Sequence, residues 1–140
     1  MDFKYTIRQI AKIAVGIREN IHTKETTKNA LVSPFVQALG YDIFNPSEII
    51  SEYDDKIDYA LIEDGKPIIL IECRHWKQDL TLRDSLLPLY FHSSNAKYGI
   101  LTNGIIYKFY TEMDEKPFLE IDITDMKDTE IEELRKFQKT

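Results

Sequence analysis

The chain has 140 residues, 43% hydrophobic and 30% charged, which suits a single domain with a substantial core. A net charge of −6 argues against a free, non-specific DNA binder, because such proteins gain most of their affinity by neutralising phosphates. The single cysteine, Cys73, excludes an internal disulfide and a cysteine-based zinc site and fits a reducing cytoplasm. The longest apolar run falls far short of the ~20 residues that span a bilayer. The N-terminus also lacks the apolar segment of a signal peptide. The expected location is therefore the cytoplasm, with no membrane partner.

Ile7, Ile10, Ala14, Ile17 and Ile21 recur at helical spacing and predict an amphipathic helix over about 4–21. A second helix is expected from Thr23, a good N-cap, to Leu39, with Gly40 ending it in the left-handed conformation. Pro34 interrupts this helix and predicts a kink or two shorter pieces. After a connector with an Asn45-Pro46 turn, residues 49–53 read as a short strand. Asp54 and Asp55 follow, either as a solvated tight turn or as outer support for a metal site.

Residues 57–62 and 68–71 are apolar, β-branched-rich runs separated by Asp64-Gly65, a strong hairpin signal because a type I′ turn needs φ > 0 at both central positions. Folding that hairpin brings Asp58 level with Glu72. Two carboxylates at one end of a sheet can hold a hard divalent cation through oxygen. Arg74 lies two residues beyond Glu72, on the same strand face. Cys73, between them, turns to the other face, where a buried thiol is expected rather than a nucleophile.

His75-Trp76-Lys77 then form an aromatic and basic cluster. Trp76 is a candidate to stack on a base and Lys77 to meet a phosphate; alternatively, Trp76 covers the sheet edge with His75 exposed. Residues 81–94 read as a helix bent or shortened by Pro88. Residues 98–102 and 105–110 read as strands joined by Asn103-Gly104, a second type I′ signal. A polar turn over 111–117, a strand over 118–123 and a short helix over 130–139, docked through Ile131, Leu134 and Phe137 or frayed, complete the chain. The expected organisation is one domain over 1–140. It comprises a helical N-terminus (1–22), a core (23–125) and a short C-terminal helical segment (126–140). A helix between the third and fourth strands implies a crossover, and hence an α/β fold with a mixed sheet and flanking helices.

Asp58 followed by Glu72-Cys73-Arg74 resembles the Asp…Glu-x-Lys signature of the PD-(D/E)XK nuclease superfamily, with Arg74 in place of the lysine. Leu31-Val32-Ser33-Pro34-Phe35, Leu39-Gly40-Tyr41-Asp42, Ile57-Asp58-Tyr59-Ala60-Leu61, Ile71-Glu72-Cys73-Arg74 and Ile100-Leu101-Thr102-Asn103-Gly104 look more specifically like the N-terminal nuclease domain of type I restriction enzyme R subunits. The resemblance covers roughly 23–125 and implies a restriction-endonuclease-like α-β-β-β-α-β core. It also implies a metal-dependent DNA endonuclease, or a nuclease module of a restriction-type system.

On this resemblance Mg²⁺ or Mn²⁺ would be held by Asp58, Glu72 and the Cys73 carbonyl. Arg74 would supply the lysine's charge, and Glu25, near the start of the second helix, would match a further carboxylate seen in relatives. A plain helix-start acid is the alternative for Glu25. Leu86 stands where relatives often carry a glutamine, a second departure. Expected partners are DNA and the motor or other subunits of such a system, since the chain has no phosphate-binding P-loop. The alternatives are a catalytically degenerate nuclease fold that binds DNA or protein, and a homodimer packed through a Tyr107/Phe109 hairpin face.

Overall fold

The computed structural model describes residues 2–83, 85–113 and 116–140. Among these, six strands form one sheet in sequence order: β1 (Ile49–Tyr53), β2 (Ile57–Glu63), β3 (Lys66–Cys73), β4 (Tyr98–Thr102), β5 (Ile106–Tyr110) and β6 (Leu119–Asp122). Neighbours are antiparallel except β3 and β4, which run parallel. A parallel pair needs a crossover, and a helix, Leu87–Ser94, supplies it. The expected α/β class, a mixed sheet with flanking helices, is therefore the observed one.

The helices, in chain order, are α1 (Phe3–Ile17), α2 (Lys24–Thr27), α3 (Ser33–Ala38), α4 (Leu87–Ser94) and α5 (Asp128–Leu134). Apolar side chains of α1, α3 and α5 pack with Tyr59, Leu61, Ile69, Ile71, Tyr107 and Phe109 on one face of the sheet. Leu87 and Phe91 of α4 pack with Ala60, Ile62, Leu70 and Leu101 on the other. The alternation of strand residues between the two cores is the period-two pleat at work.

The second predicted helix is found as α2, a wide π-type turn (Lys28–Val32) and α3 in succession. Thr23 caps it by accepting a hydrogen bond from the Thr26 N–H at 3.0 Å. The wide turn directly precedes Pro34, which has no N–H to give a regular helix. Gly40 ends the helix at φ +102°, as expected. The C-terminal segment is docked rather than frayed: Ile131, Leu134 and Phe137 are all buried, and the Phe137 ring stacks on Phe109 at 4.5 Å between centroids.

Three expectations are corrected. Among the described residues of the predicted 81–94 helix only Leu87–Ser94 is helical, shortened rather than bent, because Pro88 sits in the first turn, where proline starts a helix. Asn103-Gly104 does not form a two-residue type I′ turn: β4 and β5 pair at Thr102↔Tyr107, and of the two only Gly104 has positive φ, at +85°. Asn103 instead turns the chain by accepting the N–H groups of Ile105 and Ile106 on its side-chain oxygen, at 3.0 and 2.8 Å. Tyr107 and Phe109 are 1% and 0% exposed, so that hairpin face belongs to the core and offers no dimer surface. Asp84, inside the predicted helix, and Asp114 and Glu115, inside the predicted 111–117 turn, lie outside the described residues.

Candidate metal and phosphate site

The β2–β3 hairpin turns at Asp64 and Gly65, with φ of +54° and +77°, as the Asp-Gly pair predicts. A two-residue turn that closes Glu63 on Lys66 would, continued regularly, set Ile57 opposite Glu72 and leave Asp58 on the wrong side of the pleat. The register shifts by one residue at Leu61/Ile62, where Ile62↔Pro67 gives way to Leu61↔Ile69. Ile68 is the extra residue of this bulge, and its carbonyl accepts the Lys97 N–H at 2.9 Å. The pairing Tyr59↔Ile71 follows, and continuing that register by one step would set Asp58 opposite Glu72. The bulge thus restores the register that the sequence reading of Asp58 and Glu72 requires.

Asp58 and Glu72 are 3% and 9% exposed, and they are the buried carboxylates among the described residues. Each has one oxygen fixed by the main chain. Asp58 Oδ2 accepts the Cys73 N–H at 2.8 Å. Glu72 Oε1 accepts the Ser85 hydroxyl at 2.8 Å and the Leu86 N–H at 3.1 Å, just ahead of α4. The other oxygen of each meets a cationic side chain: Asp58 Oδ1 lies 3.2 Å from Lys24 Nζ, and Glu72 Oε2 lies 3.3 Å from Arg74 Nη2. Burial pushes the Asp58 carboxyl above its ordinary range, against the opposing pull of the Cys73 N–H and of Lys24 and Lys28. The site lies at the carboxyl end of β3, beside the β3–α4–β4 crossover.

Arg74 is held on both sides, by Glu72 and by the Asp79 carbonyl at 3.4 Å. The Cys73 thiol is buried, and that burial raises it well above its ordinary range, so it is an inert core group. Lys28 is buried, with its ammonium 2.8 Å from Glu52, 3.0 Å from Ser51 Oγ and 4.7 Å from the centre of the Tyr59 ring. Burial alone would lower Lys28, but Glu52, Tyr59 and Asp58 together hold it above its ordinary value. Glu25 is exposed, and its carboxylate meets Asn29 Nδ2 at 3.5 Å. Lys24 and Lys28, one helical turn apart, are the α2 and π-turn residues that face Asp58. Sequence reasoning missed both lysines; their only signal was an i, i+4 spacing indistinguishable from a solvated face.

Trp76 is half-buried against the larger core, and its indole N–H donates to the Ile21 carbonyl at 3.2 Å. Arg18 and Lys77 lie 5.5 and 5.3 Å from its ring centre. It anchors the end of the first helical segment to the loop after β3, while Lys77 stays exposed. Asp54 and Asp55, at φ +52° and +59°, form the exposed turn between β1 and β2.

The donor chemistry suits a hard divalent cation. Asp58 Oδ1 and Glu72 Oε2 are hard oxygen donors, ion-paired to Lys24 and Arg74, and the pinned oxygens hold both carboxylates in place without a metal ion. Among the described residues no three His, Cys, Asp or Glu side chains group to hold a metal, so a cation here rests on two carboxylates, main chain and water. Mg²⁺ commonly binds in this way, with substrate phosphate completing the shell. Among the described residues no helix is long and apolar enough to cross a membrane. A scan of protein-family models finds no match to the chain, and searches of curated proteins and of solved structures find none either.

Proposed function

We propose that the chain is a divalent-metal-dependent DNA endonuclease, or the nuclease module of a type I restriction-type system, with a restriction-endonuclease-like fold. The observation that carries this reading is the two buried carboxylates, Asp58 and Glu72, each pinned through one oxygen and ion-paired through the other. Burying two acids costs stability, which Lys24, Arg74 and the pinning hydrogen bonds offset in part and a bound divalent cation would offset further. Asp58, Glu72 and the Cys73 carbonyl would hold the metal, which would supply a water of lowered pKa and charge stabilisation at the phosphate. In the reaction one water adds across a P–O ester bond: its oxygen bonds to phosphorus, the ester oxygen leaves and takes a proton, and the second water proton passes to solvent. Arg74 fixes the Glu72 carboxylate and contributes positive charge beside it. Lys24 beside Asp58, and Arg18 and Lys77 against the Trp76 ring, supply local positive charge for phosphate among the exposed acids Glu25, Asp54, Asp55 and Asp79.

The second reading is a degenerate nuclease fold that binds DNA or protein. It is favoured by the same two ion pairs, because Lys24 and Arg74 already neutralise the carboxylates without metal. Cleavage of supercoiled plasmid in Mg²⁺ or Mn²⁺ separates the readings. Nicking by the wild-type chain that is lost in both Asp58→Ala and Glu72→Ala supports the nuclease. DNA binding by a wild-type chain that never nicks supports the binding module.

A further inference from the structure

We infer that Lys24, rather than Arg74, is the ammonium that serves the reacting phosphate; this rests on the nuclease reading above. Three cationic side chains stand around the carboxylate pair, and two are already committed. Arg74 has a side chain only 15% exposed and is held between Glu72 Oε2 and the Asp79 carbonyl. Lys28 is 2% exposed and locked onto Glu52, Ser51 and the Tyr59 ring. Lys24 is different. Its side chain is 53% exposed, and its ammonium reaches the buried Asp58 Oδ1 from the solvent side at 3.2 Å.

The Thr23 cap fixes the backbone of that helical turn, so Lys24 approaches Asp58 from a set position on a four-carbon stem. Lys24 Nζ and a divalent cation would compete for Asp58 Oδ1, so a bound cation would displace the ammonium by like-charge repulsion. The displaced amine remains within reach of the same carboxylate end, where negative charge builds on the non-bridging phosphate oxygens as the water–phosphorus bond forms and the ester bond breaks. A compact, rotatable ammonium suits that task better than a planar guanidinium pinned at both ends. The charge that the motif arginine withholds is thus supplied from another element, the first turn of α2.

The test measures kcat and KM for DNA cleavage, together with Mn²⁺ affinity, for wild type, Lys24→Ala and Lys24→Arg, with ethylammonium added against sodium at equal ionic strength. Loss of one charge-stabilising donor lowers kcat by roughly 10²-fold, with KM little changed. Ethylammonium restores part of the Lys24→Ala rate, Lys24→Arg keeps part of it, and Mn²⁺ binds Lys24→Ala at least as tightly as wild type because a competing cation is gone. Wild-type kcat in Lys24→Ala overturns the inference and leaves the nuclease reading standing. A rate loss that ethylammonium does not relieve also overturns it, since a merely structural lysine cannot be replaced by a free amine. A wild-type chain that neither binds Mn²⁺ nor cleaves DNA overturns the nuclease reading and the inference with it.

Discussion

Replacing Glu72 tests whether its carboxylate holds the fold as well as the chemistry. Glu72→Ala removes acceptors from Ser85 Oγ, the Leu86 N–H and Arg74 Nη2, at 2.8, 3.1 and 3.3 Å. The two bonds on Oε1 are charge-assisted and short, and each is worth about 1–2 kcal/mol after allowance for competing water. The Arg74 pair is longer, yet leaves a largely buried guanidinium with the Asp79 carbonyl alone, so its loss adds about 1 kcal/mol. Relief of Glu72 burial offsets part of this, and a net loss of about 3 kcal/mol is expected. For a domain of this size that is a fall of about 10 °C in melting temperature. Glu72→Gln keeps an acceptor for Ser85 and Leu86 and is expected to lose about 1 kcal/mol, although under the proposed function both variants should abolish cleavage. Urea and thermal denaturation followed by circular dichroism measure both. If Glu72→Ala is as stable as wild type, or is no worse than Glu72→Gln, then Glu72 does not pin the start of α4, and its orientation has another cause.

Three further predictions follow from the packing and the charges. Gly104→Ala strains a residue at φ +85° and drives its Cβ to 2.7 Å from the Leu31 side chain, so denaturation should show a loss of at least about 2 kcal/mol. Lys28→Met should hold stability within about 1 kcal/mol, because Glu52, 54% exposed, is rehydrated once its partner goes; Lys28→Ala leaves a cavity and should cost about 2 kcal/mol more. Hydrogen bonds from Lys4 and Arg8 hold the Asp128 carboxyl below its ordinary range, so its stabilising effect is present above that range and is lost as pH falls through the lowered value. Stability measured against pH should therefore show wild type above Asp128→Asn near neutrality, with the difference closing in acid.

Much of the fold was legible because local chemistry and tertiary structure agree. Asp64-Gly65 demands positive φ and receives it, Gly40 stops its helix, and the apolar runs of β2 and β3 are long enough to read as central strands. The failures lie where a long-range partner decides. Asn103-Gly104 reads as a hairpin pair, but the Asn103 side-chain amide also donates to the Trp76 carbonyl at 2.9 Å, which ties the turn to a distant loop. Residues ahead of Pro88 have helical spacing, yet Ser85 and Leu86 donate to Glu72 instead of starting a helix. The Tyr107 and Phe109 alternation is correct, while which face meets solvent depended on α3 and Phe137 arriving over it.

The candidate site was partly legible in the same way. Asp58, Glu72 and Arg74 could be placed together from one hairpin and a two-residue period. Their true register needed the Ile68 bulge, which no turn signal announces. The choice between Glu25 and Lys24 depended on which side of a single helical turn faces the sheet. Adjacent residues differ by ~100° around a helix, and Thr23 capping together with Lys28 burial settles that angle for Lys24.

The most direct test of the central claim is Mn²⁺ binding to the metal-free chain, followed by electron paramagnetic resonance, in wild type, Asp58→Asn and Glu72→Gln. Saturable loss of the free Mn²⁺ signal in wild type, weakened at least 10-fold in both variants, is the result predicted for a cation held between these carboxylates. Titrations that are indistinguishable across the three proteins would contradict it, and would leave the buried pair as an ion-pair network closed by Lys24 and Arg74.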